Sequence, residues 1–136
     1  MTDPVPSDHA AEGKLLGSLL LSPDLLSDWI GSLTPDQFDN KLYGAMYGAA
    51  CDLAIDTQPI KVDTLARRFV QNGGDLADIG GTAGLADLMV GVDGGEADYW
   101  RNRVQEMHGR RRLLSAGRTA ERLAQNDSAD LDASYA

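Results

Sequence analysis

Proline and glycine residues divide this chain into segments, and the apolar residues within each segment recur at helical spacing. Ser22-Pro23 and Thr34-Pro35 each place a capping residue before a proline, which is typical of a helix start. Asn72-Gly73-Gly74, Gly80-Gly81 and Gly94-Gly95 supply the residues that helix ends favour. Alanine and leucine are abundant, whereas β-branched and aromatic residues are scarce, and this balance favours helix over strand. The sequence therefore predicts an all-α fold.

The predicted helices cover about residues 8–21, 23–30, 40–55, 62–72, 82–93 and 96–125. Thr34 and Gln37 stand at the spacing of a capping box, so we expect their side chains to cap a helix that starts at Pro35. Cys51 lies among apolar helix residues, and we expect it to be an inert thiol in the core.

These segments predict one helical domain over about residues 8–125, organised as a compact bundle followed by a projecting hairpin. The bundle covers about residues 8–72 and the hairpin about residues 82–125. Residues 1–7 contain two prolines and no periodicity, and are predicted to be a flexible leader. Residues 126–136 are polar and acidic, and are predicted to be a linker or tail.

The last predicted helix is long but carries few apolar residues. They are Trp100, Val104, Met107 and Leu114. A long helix with so sparse an apolar stripe has little bundle to pack against, so we expect it to project and to need a partner. We therefore predict a dimer that forms through the hairpin, residues 82–122, and buries these four side chains at its interface.

The sequence contains no pattern for catalysis, for a cofactor or for a metal ion. The one Gly-Lys pair, Gly13-Lys14, lacks the upstream glycine of a phosphate-binding loop, because Asp8 stands at that position. His9 and His108 are far apart in the sequence, and each is predicted to be an ordinary surface or helix-face residue. The aspartates of residues 127–132 lack the glycine and the final glutamate of a calcium loop.

The longest apolar stretch, Leu15 to Leu21, is interrupted by polar residues and is far shorter than the roughly 20 residues of a membrane span. The first residues are acidic, with no lysine or arginine before Lys14, which is the wrong charge for a secretory signal. A single cysteine cannot form an intramolecular disulfide. These features predict a cytoplasmic protein.

The net charge of −9 is unevenly distributed. Residues 1–100 carry 5 basic and 16 acidic side chains, a net charge of −11. Residues 101–122 carry seven arginines against two glutamates, a net charge of +5. Most of the surface should therefore repel a phosphate backbone, and we expect little or no direct DNA binding.

The arginine run at Arg110, Arg111 and Arg112 has three interpretations. It could contact nucleic acid, although the segment lacks the interleaved aromatic residues of a single-strand platform. It could instead be a solvated helix face, with ion pairs such as Asp98 with Arg103 and Glu106 with Arg110. Docking of an acidic protein surface, or a subunit interface, is favoured by the acidic remainder of the domain.

Taken together, the segments resemble the amino-terminal domain of the bacterial hexameric replicative helicase, the DnaB family. The resemblance covers about residues 10–124 and begins at Glu12, in a first helix with the family's Leu-Leu-Gly and two further leucines. The matching elements, in order, are Glu12 to Leu20, Leu33 to Phe38, Tyr43 with Met46-Tyr47, Pro59-Ile60, Thr64-Leu65 to Gly73, Gly80-Gly81 with Leu85 and Leu88, Tyr99 and Val104, and Arg112 to Leu114.

Three positions depart from the family pattern. Lys61 replaces an acidic residue, Asp39 replaces an aromatic one, and Tyr43 stands where the family usually has histidine. These departures indicate a divergent member, such as one carried by a plasmid or a phage.

The resemblance implies an N-terminal collar domain that pairs through its hairpin, supports hexamer assembly and receives the carboxy-terminal domain of primase or a helicase loader. It also implies a non-catalytic chain, because the family's RecA-like ATPase follows this domain and is not in the sequence. We expect partner contacts at two places. They are the acidic bundle edges at Asp24, Asp28, Asp36 and Asp39, and the arginine run Arg110, Arg111 and Arg112.

Two alternatives remain at this point. The carboxy-terminal domain of primase is similar to this domain in fold, but the polar residues 126–136 look like the start of a linker and favour the helicase. A helical DNA-binding regulator is disfavoured by the acidic balance of the chain.

Overall fold

The computed structural model describes the backbone of residues 7–134 and the side chains of residues 7–126. The described residues form helices and no strand, so the predicted all-α fold is confirmed. The helices are α1 (His9–Leu21), α2 (Leu26–Trp29), α3 (Lys41–Ile55), α4 (Val62–Gln71), α5 (Gly81–Asp87) and α6 (Ala97–Ser134). Short 3₁₀ turns precede α2, α3, α5 and α6 at Pro23–Leu25, Pro35–Gln37, Leu76–Ile79 and Gly94–Glu96. Apart from Ser7, the predicted leader lies outside the described residues.

Side-chain caps fix the starts of the two main bundle helices. The Asp8 carboxylate accepts a hydrogen bond from the Ala11 N–H at 3.0 Å and so begins α1. The Asn40 side chain accepts from the N–H groups of Leu42 and Tyr43 and begins α3. These starts lie within one residue of those that the sequence predicts.

The capping box predicted at Thr34 and Gln37 is not formed. Pro35 starts only a 3₁₀ turn, and the Thr34 hydroxyl bonds to the Asp36 carboxylate instead of to the backbone. The Gln37 amide turns back to donate to the Ser32 carbonyl at 3.2 Å. The next helix therefore begins only after Asn40, because Asn40 caps it more directly.

The core is formed by buried side chains from all six helices. Its largest fully buried side chains are Trp29, Tyr47, Leu15, Leu16, Leu19, Leu26, Leu33, Met46, Leu65, Leu85, Glu12 and Val104. The Tyr47 hydroxyl donates a hydrogen bond to the Leu33 carbonyl at 2.9 Å, so its buried polar atom is satisfied. Burial raises the pKa of this phenol and also that of the half-buried Cys51 thiol, which fits the expected inert role of Cys51.

α6 is the longest helix, with 38 residues and a length of about 57 Å at 1.5 Å per residue. Its first part packs against α1, whereas α5 packs mainly against α4 and the Leu76–Ile79 turn. Both helices of the predicted hairpin are present, but the second packs chiefly on the bundle. The physical reason is that α1 is buried along most of its circumference, so that it needs a cover on the side that α3 and the Pro23–Leu25 turn leave open.

The end of α6 differs from the predicted end at residue 125. The helix continues through Ser134, so most of the predicted linker at residues 126–136 is helical. No glycine or proline follows Gly117 to stop the helix, and the polar residues that follow it are interspersed with alanine and leucine.

Candidate interaction surfaces

The described part of the chain contains no helix that is both long and apolar enough to cross a membrane. Within the same residues, no group of three or more His, Cys, Asp or Glu side chains could hold a metal ion. His9 lies 2.6 Å from Asp39, and His108 is half-buried on α6.

Glu12 joins α1 to the connection that leads into α3. Its side chain is only 2% exposed and accepts hydrogen bonds from the N–H groups of Asn40 at 2.9 Å and Asp39 at 3.3 Å. Burial raises the pKa of this carboxyl, and the two N–H donors oppose that rise. Glu12 thus fixes Asp39 and Asn40 against α1. The sequence signal was an acidic residue on the buried face of a helix, next to Ala11.

A set of polar contacts holds α6 against the bundle. Arg103 on α6 donates to the Asp8 carboxylate at 2.9 Å, which ties the first turn of α1 to α6. Gln105 donates to the Ser32 carbonyl at 3.1 Å, and Arg111 donates to the Gln37 carbonyl at 2.8 Å. These long-range pairs could not be found from the sequence, because their partners are about 70 to 95 residues apart.

Two of the four residues predicted at a dimer interface are buried within the chain. Val104 is 2% exposed and Met107 is 4% exposed, so the prediction that they bury across a dimer is wrong. Trp100 is half-buried, with the Lys14 ammonium 4.6 Å from the centre of its ring. Leu114 is half-buried as well. The apolar stripe of the first part of α6 covers α1 and needs no second chain.

A different apolar stripe is exposed on the second part of α6. Leu113 is 76% exposed and Leu123 is 59% exposed, with the exposed alanines Ala116 and Ala120 between them. Their spacings of three, four and three residues place all four on one face of the helix. We call this set, Leu113, Ala116, Ala120 and Leu123, the α6 stripe. The spacing is present in the sequence, but two of its four positions are alanine, which indicates an apolar face less clearly than the larger side chains earlier in α6.

The four predicted acidic contacts fall into two groups. Asp24 and Asp28 are exposed around the 3₁₀ turn and helix that follow α1. Asp36 and Asp39 lie beside α6, and Asp39 is within 3.9 Å of Arg111. A hydrogen bond from Thr34 is the main reason that the pKa of Asp36 is lowered. Asp39 is therefore engaged within the chain, whereas Asp24 and Asp28 face solvent.

The three side chains of the arginine run also lie in different environments. Arg110 pairs with Glu106 at 2.7 Å, as the sequence predicts for a helix face. Arg111 faces the bundle, and Arg112 is exposed. The predicted pair of Asp98 with Arg103 is wrong, because Arg103 bonds Asp8 and Glu106 while Asp98 lies 3.8 Å from Arg101. Five positions separate Asp98 from Arg103, which is too many for one helix face.

Known proteins that are similar to this chain identify the family of domains to which these surfaces belong. A family model described as the DnaB-like helicase N terminal domain matches residues 5–106. The chain is 34% identical over 113 residues to the replicative DNA helicase DnaB of Mycobacterium leprae, and 35% identical over 85 residues to a probable replicative DNA helicase of Trieres chinensis. These alignments cover 82% and 62% of this chain, but only 18% of each relative.

A solved structure has the same fold. It is the crystal structure of the N-terminal domain of DnaB helicase from Mycobacterium tuberculosis, with a TM-score of 0.81 and 32% identity. The match covers 90% of this chain and 88% of that one. The resemblance inferred from the sequence is confirmed, and the chain belongs to the family of DnaB-like helicase N-terminal domains.

Proposed function

We propose that this chain is the non-catalytic assembly and docking domain of a replicative DNA helicase acting in the cytoplasm. In this role it forms part of an N-terminal collar and receives primase or a helicase loader. The chain spans 18% of the length of its curated relatives, so ATP hydrolysis and unwinding are assigned to other parts of such a protein. The observation that carries the proposal is the α6 stripe, an apolar helix face that the described bundle does not cover.

The α6 stripe supports self-association. Its spacing of three, four and three residues is that of the buried positions in a two-helix coiled coil. The alanines at its centre let a partner helix approach closely, while the two leucines supply apolar area at the ends. Burying a leucine side chain contributes roughly 1.5–3 kcal/mol, so a second copy that covered both ends would gain substantially. The self-association that we predict therefore uses the second part of α6, and not Val104 and Met107.

Light scattering over a concentration series tests this self-association. We expect the wild-type chain to dimerise or form a larger oligomer, and Leu113→Asp to shift it toward monomer. Ile55→Asp is the matched control, because Ile55 is 71% exposed at the end of α3 and should leave assembly unchanged. A wild-type chain that stays monomeric at every concentration, or equal behaviour of the two variants, would refute the role of the α6 stripe.

We place partner docking on a surface other than the α6 stripe, because a collar domain must assemble and dock at the same time. Asp24 and Asp28 are exposed and lie near a groove of about 510 Å³ whose lining includes Pro23, Asp24 and Ile60. Acidic edges favour a basic or mixed partner surface, and they make the association fast and sensitive to salt.

Titration of the cognate primase carboxy-terminal domain at two salt concentrations tests the docking. We expect the double charge reversal Asp24→Lys with Asp28→Lys to weaken binding, and Arg110→Glu with Arg112→Glu to have the smaller effect. A stronger loss with the arginine variant would move the site to α6. No binding to folded, assembled wild-type protein would exclude primase, and the same titration with a loader would follow.

A further inference from the structure

α4 ends at Asn72-Gly73, which is the one place in the sequence where glycine follows asparagine. Asparagine is among the chemically labile residues, because its side-chain amide can react with the backbone nitrogen of the next residue. Glycine favours this reaction, since it has no Cβ atom to obstruct the approach. Both residues are exposed, so water reaches them. The function proposed above gives this pair no role.

The reaction is a deamidation that needs only water. The Gly73 nitrogen attacks the Cγ carbon of Asn72 and gives up its proton. A new N–C bond forms, the bond from Cγ to the side-chain nitrogen breaks, and that nitrogen leaves as ammonia. Water then opens the cyclic imide at either of its carbonyl carbons. The product is aspartate, or isoaspartate, in which the backbone continues through the former side-chain carbon.

The folded chain holds the attacking nitrogen in a closed helix cap. The Gly73 N–H donates to the Val70 carbonyl at 2.9 Å, and the Gly74 N–H donates to the Phe69 carbonyl at 2.9 Å. Asn72 has a φ of −80° and a ψ of 4°, which continues the turn of the helix. The reaction therefore requires the end of α4 to open, and its rate follows the population of the open state.

Asp52 on α3 holds this cap from outside α4. The Asn72 side-chain N–H donates to the half-buried Asp52 carboxylate at 3.0 Å. This bond fixes the amide group that would be attacked, and it ties the last residue of the cap to the neighbouring helix. Deamidation removes the donor, because an ionised carboxylate can only accept hydrogen bonds.

We propose that Asn72-Gly73 is a site of spontaneous deamidation and that Asp52 restrains the reaction in the folded domain. The product places a second carboxylate next to Asp52, where a donor and an acceptor were paired. The step that adds a negative charge at the end of α4 thus also removes the contact that held α4 to α3. The modification is coupled to opening of the cap in both directions.

Incubation at mildly alkaline pH, followed by ammonia release and peptide mapping by mass spectrometry, measures the rate at position 72. We expect folded Asp52→Ala to react about fivefold faster than the folded wild type, because one net hydrogen bond changes the opening equilibrium by about that factor. Asp56→Ala is the matched control. It removes the 2.8 Å ion pair to Arg68 and leaves the Asn72 contact in place, so its rate should equal that of the wild type.

The wild-type chain unfolded in urea should react faster than either folded variant, because its cap is fully open. Absence of product at position 72 in the unfolded chain would overturn the site. Equal rates for folded wild type and Asp52→Ala, or equal acceleration in Asp52→Ala and Asp56→Ala, would overturn the role of Asp52.

An exchange of the two side chains tests the contact without the reaction. Asn72→Asp should lower the urea midpoint of unfolding, because two carboxylates then face each other. Asp52→Asn combined with Asn72→Asp restores one donor and one acceptor, and it should return the midpoint most of the way to the wild-type value. A double variant that is no more stable than Asn72→Asp alone would contradict the contact between positions 52 and 72.

Discussion

At the scale of single residues, Gly17 controls how closely another segment can approach α1. A Cβ atom built at this position would lie 2.0 Å from the Leu88 carbonyl oxygen and 3.1 Å from a methyl carbon of Val92. We therefore expect Gly17→Ala to destabilise the domain by about 1–2 kcal/mol. The substitution gains up to about 1 kcal/mol in helix propensity, but overpacking typically costs about 1–3 kcal/mol. Urea unfolding measures the difference.

Gly109→Ala is the control for that prediction. Gly109 also lies inside a helix, but a Cβ atom there would meet nothing within 4 Å. The same substitution should therefore stabilise α6 by about 0.5–1 kcal/mol. If both variants changed the unfolding free energy in the same direction, the close approach of Leu88 to Gly17 would be wrong.

Asp8 both caps α1 and pairs with Arg103, and the pH dependence of stability distinguishes these two roles. A hydrogen bond from Arg103 and another from the Ala11 N–H hold its pKa below the ordinary value of 3.8. A carboxyl whose pKa is lowered by folding stabilises the protein above its unfolded-state pKa, and this contribution is lost as the pH falls through the folded-state pKa. Asn at this position can still cap α1, but it cannot form the ion pair.

Asp8→Asn should therefore be less stable than the wild type at neutral pH, and the difference should disappear as the pH falls below about 4. Urea unfolding of both proteins at a series of pH values gives the comparison, because every other titrating group is common to them. A difference that stays constant down to pH values well below 4 would show that Asp8 acts through capping alone.

At the scale of elements, α6 combines a buried first part with an exposed second part. Met107→Ala should destabilise the monomer by about 2–5 kcal/mol, because it removes a side chain that is only 4% exposed within the single chain. Leu113→Ala should change the same free energy by less than about 0.5 kcal/mol, because Leu113 contacts solvent. Thermal or urea unfolding at low protein concentration, where self-association is weak, measures both.

A larger loss of stability for Leu113→Ala than for Met107→Ala would contradict the burial of Met107 and the exposure of Leu113. Equal and small effects would mean that the first part of α6 does not pack on α1. Equal and large effects would mean that the α6 stripe is already covered in the monomer. The structure agrees only with a large loss of unfolding free energy for Met107→Ala and a small loss for Leu113→Ala, because the first part of α6 is buried and the second part is exposed.

Helix starts could be predicted from the sequence because their signals are local. Asp8, Asn40 and the two prolines act on residues within one turn, and each lies at or next to an observed start. The place where α6 packs could not be predicted in this way. Its apolar stripe shows that a partner exists, but Val104 and Met107 carry no information on whether that partner is α1 or another chain.

The candidate surfaces were predicted less well than the fold for the same reason. Asp39 and Arg111 belong to separate predicted sites, but folding brings them within 3.9 Å, so they form one contact inside the domain. Glu12 was singled out as part of a family motif and not as a buried acidic residue, and its two backbone hydrogen bonds explain why a carboxylate is needed there. The residues that lie exposed and uncovered, such as Leu113, are defined only once the rest of the chain is packed.

At the scale of the whole molecule, the charges are segregated. The bundle is acidic, and the second part of α6 carries the exposed arginines Arg110, Arg112, Arg118 and Arg122. A polyanion that approaches the domain is repelled by the acidic bundle and attracted by the second part of α6. Binding of nucleic acid should therefore be weak, and it should come from α6 alone.

Fluorescence anisotropy with a labelled single-stranded oligonucleotide measures this binding. Four phosphate contacts give a slope of log K against log salt concentration no steeper than about −3, at roughly 0.7 per contact for a single strand. Arg118→Ala with Arg122→Ala should make that slope shallower by about 1.4. Lys41→Ala is the control, because Lys41 lies at the start of α3 and not on α6, and it should leave the slope unchanged. Tight binding that persists at high salt would show that base stacking or a second surface contributes, and the domain would then contact DNA directly instead of only assembling proteins around it.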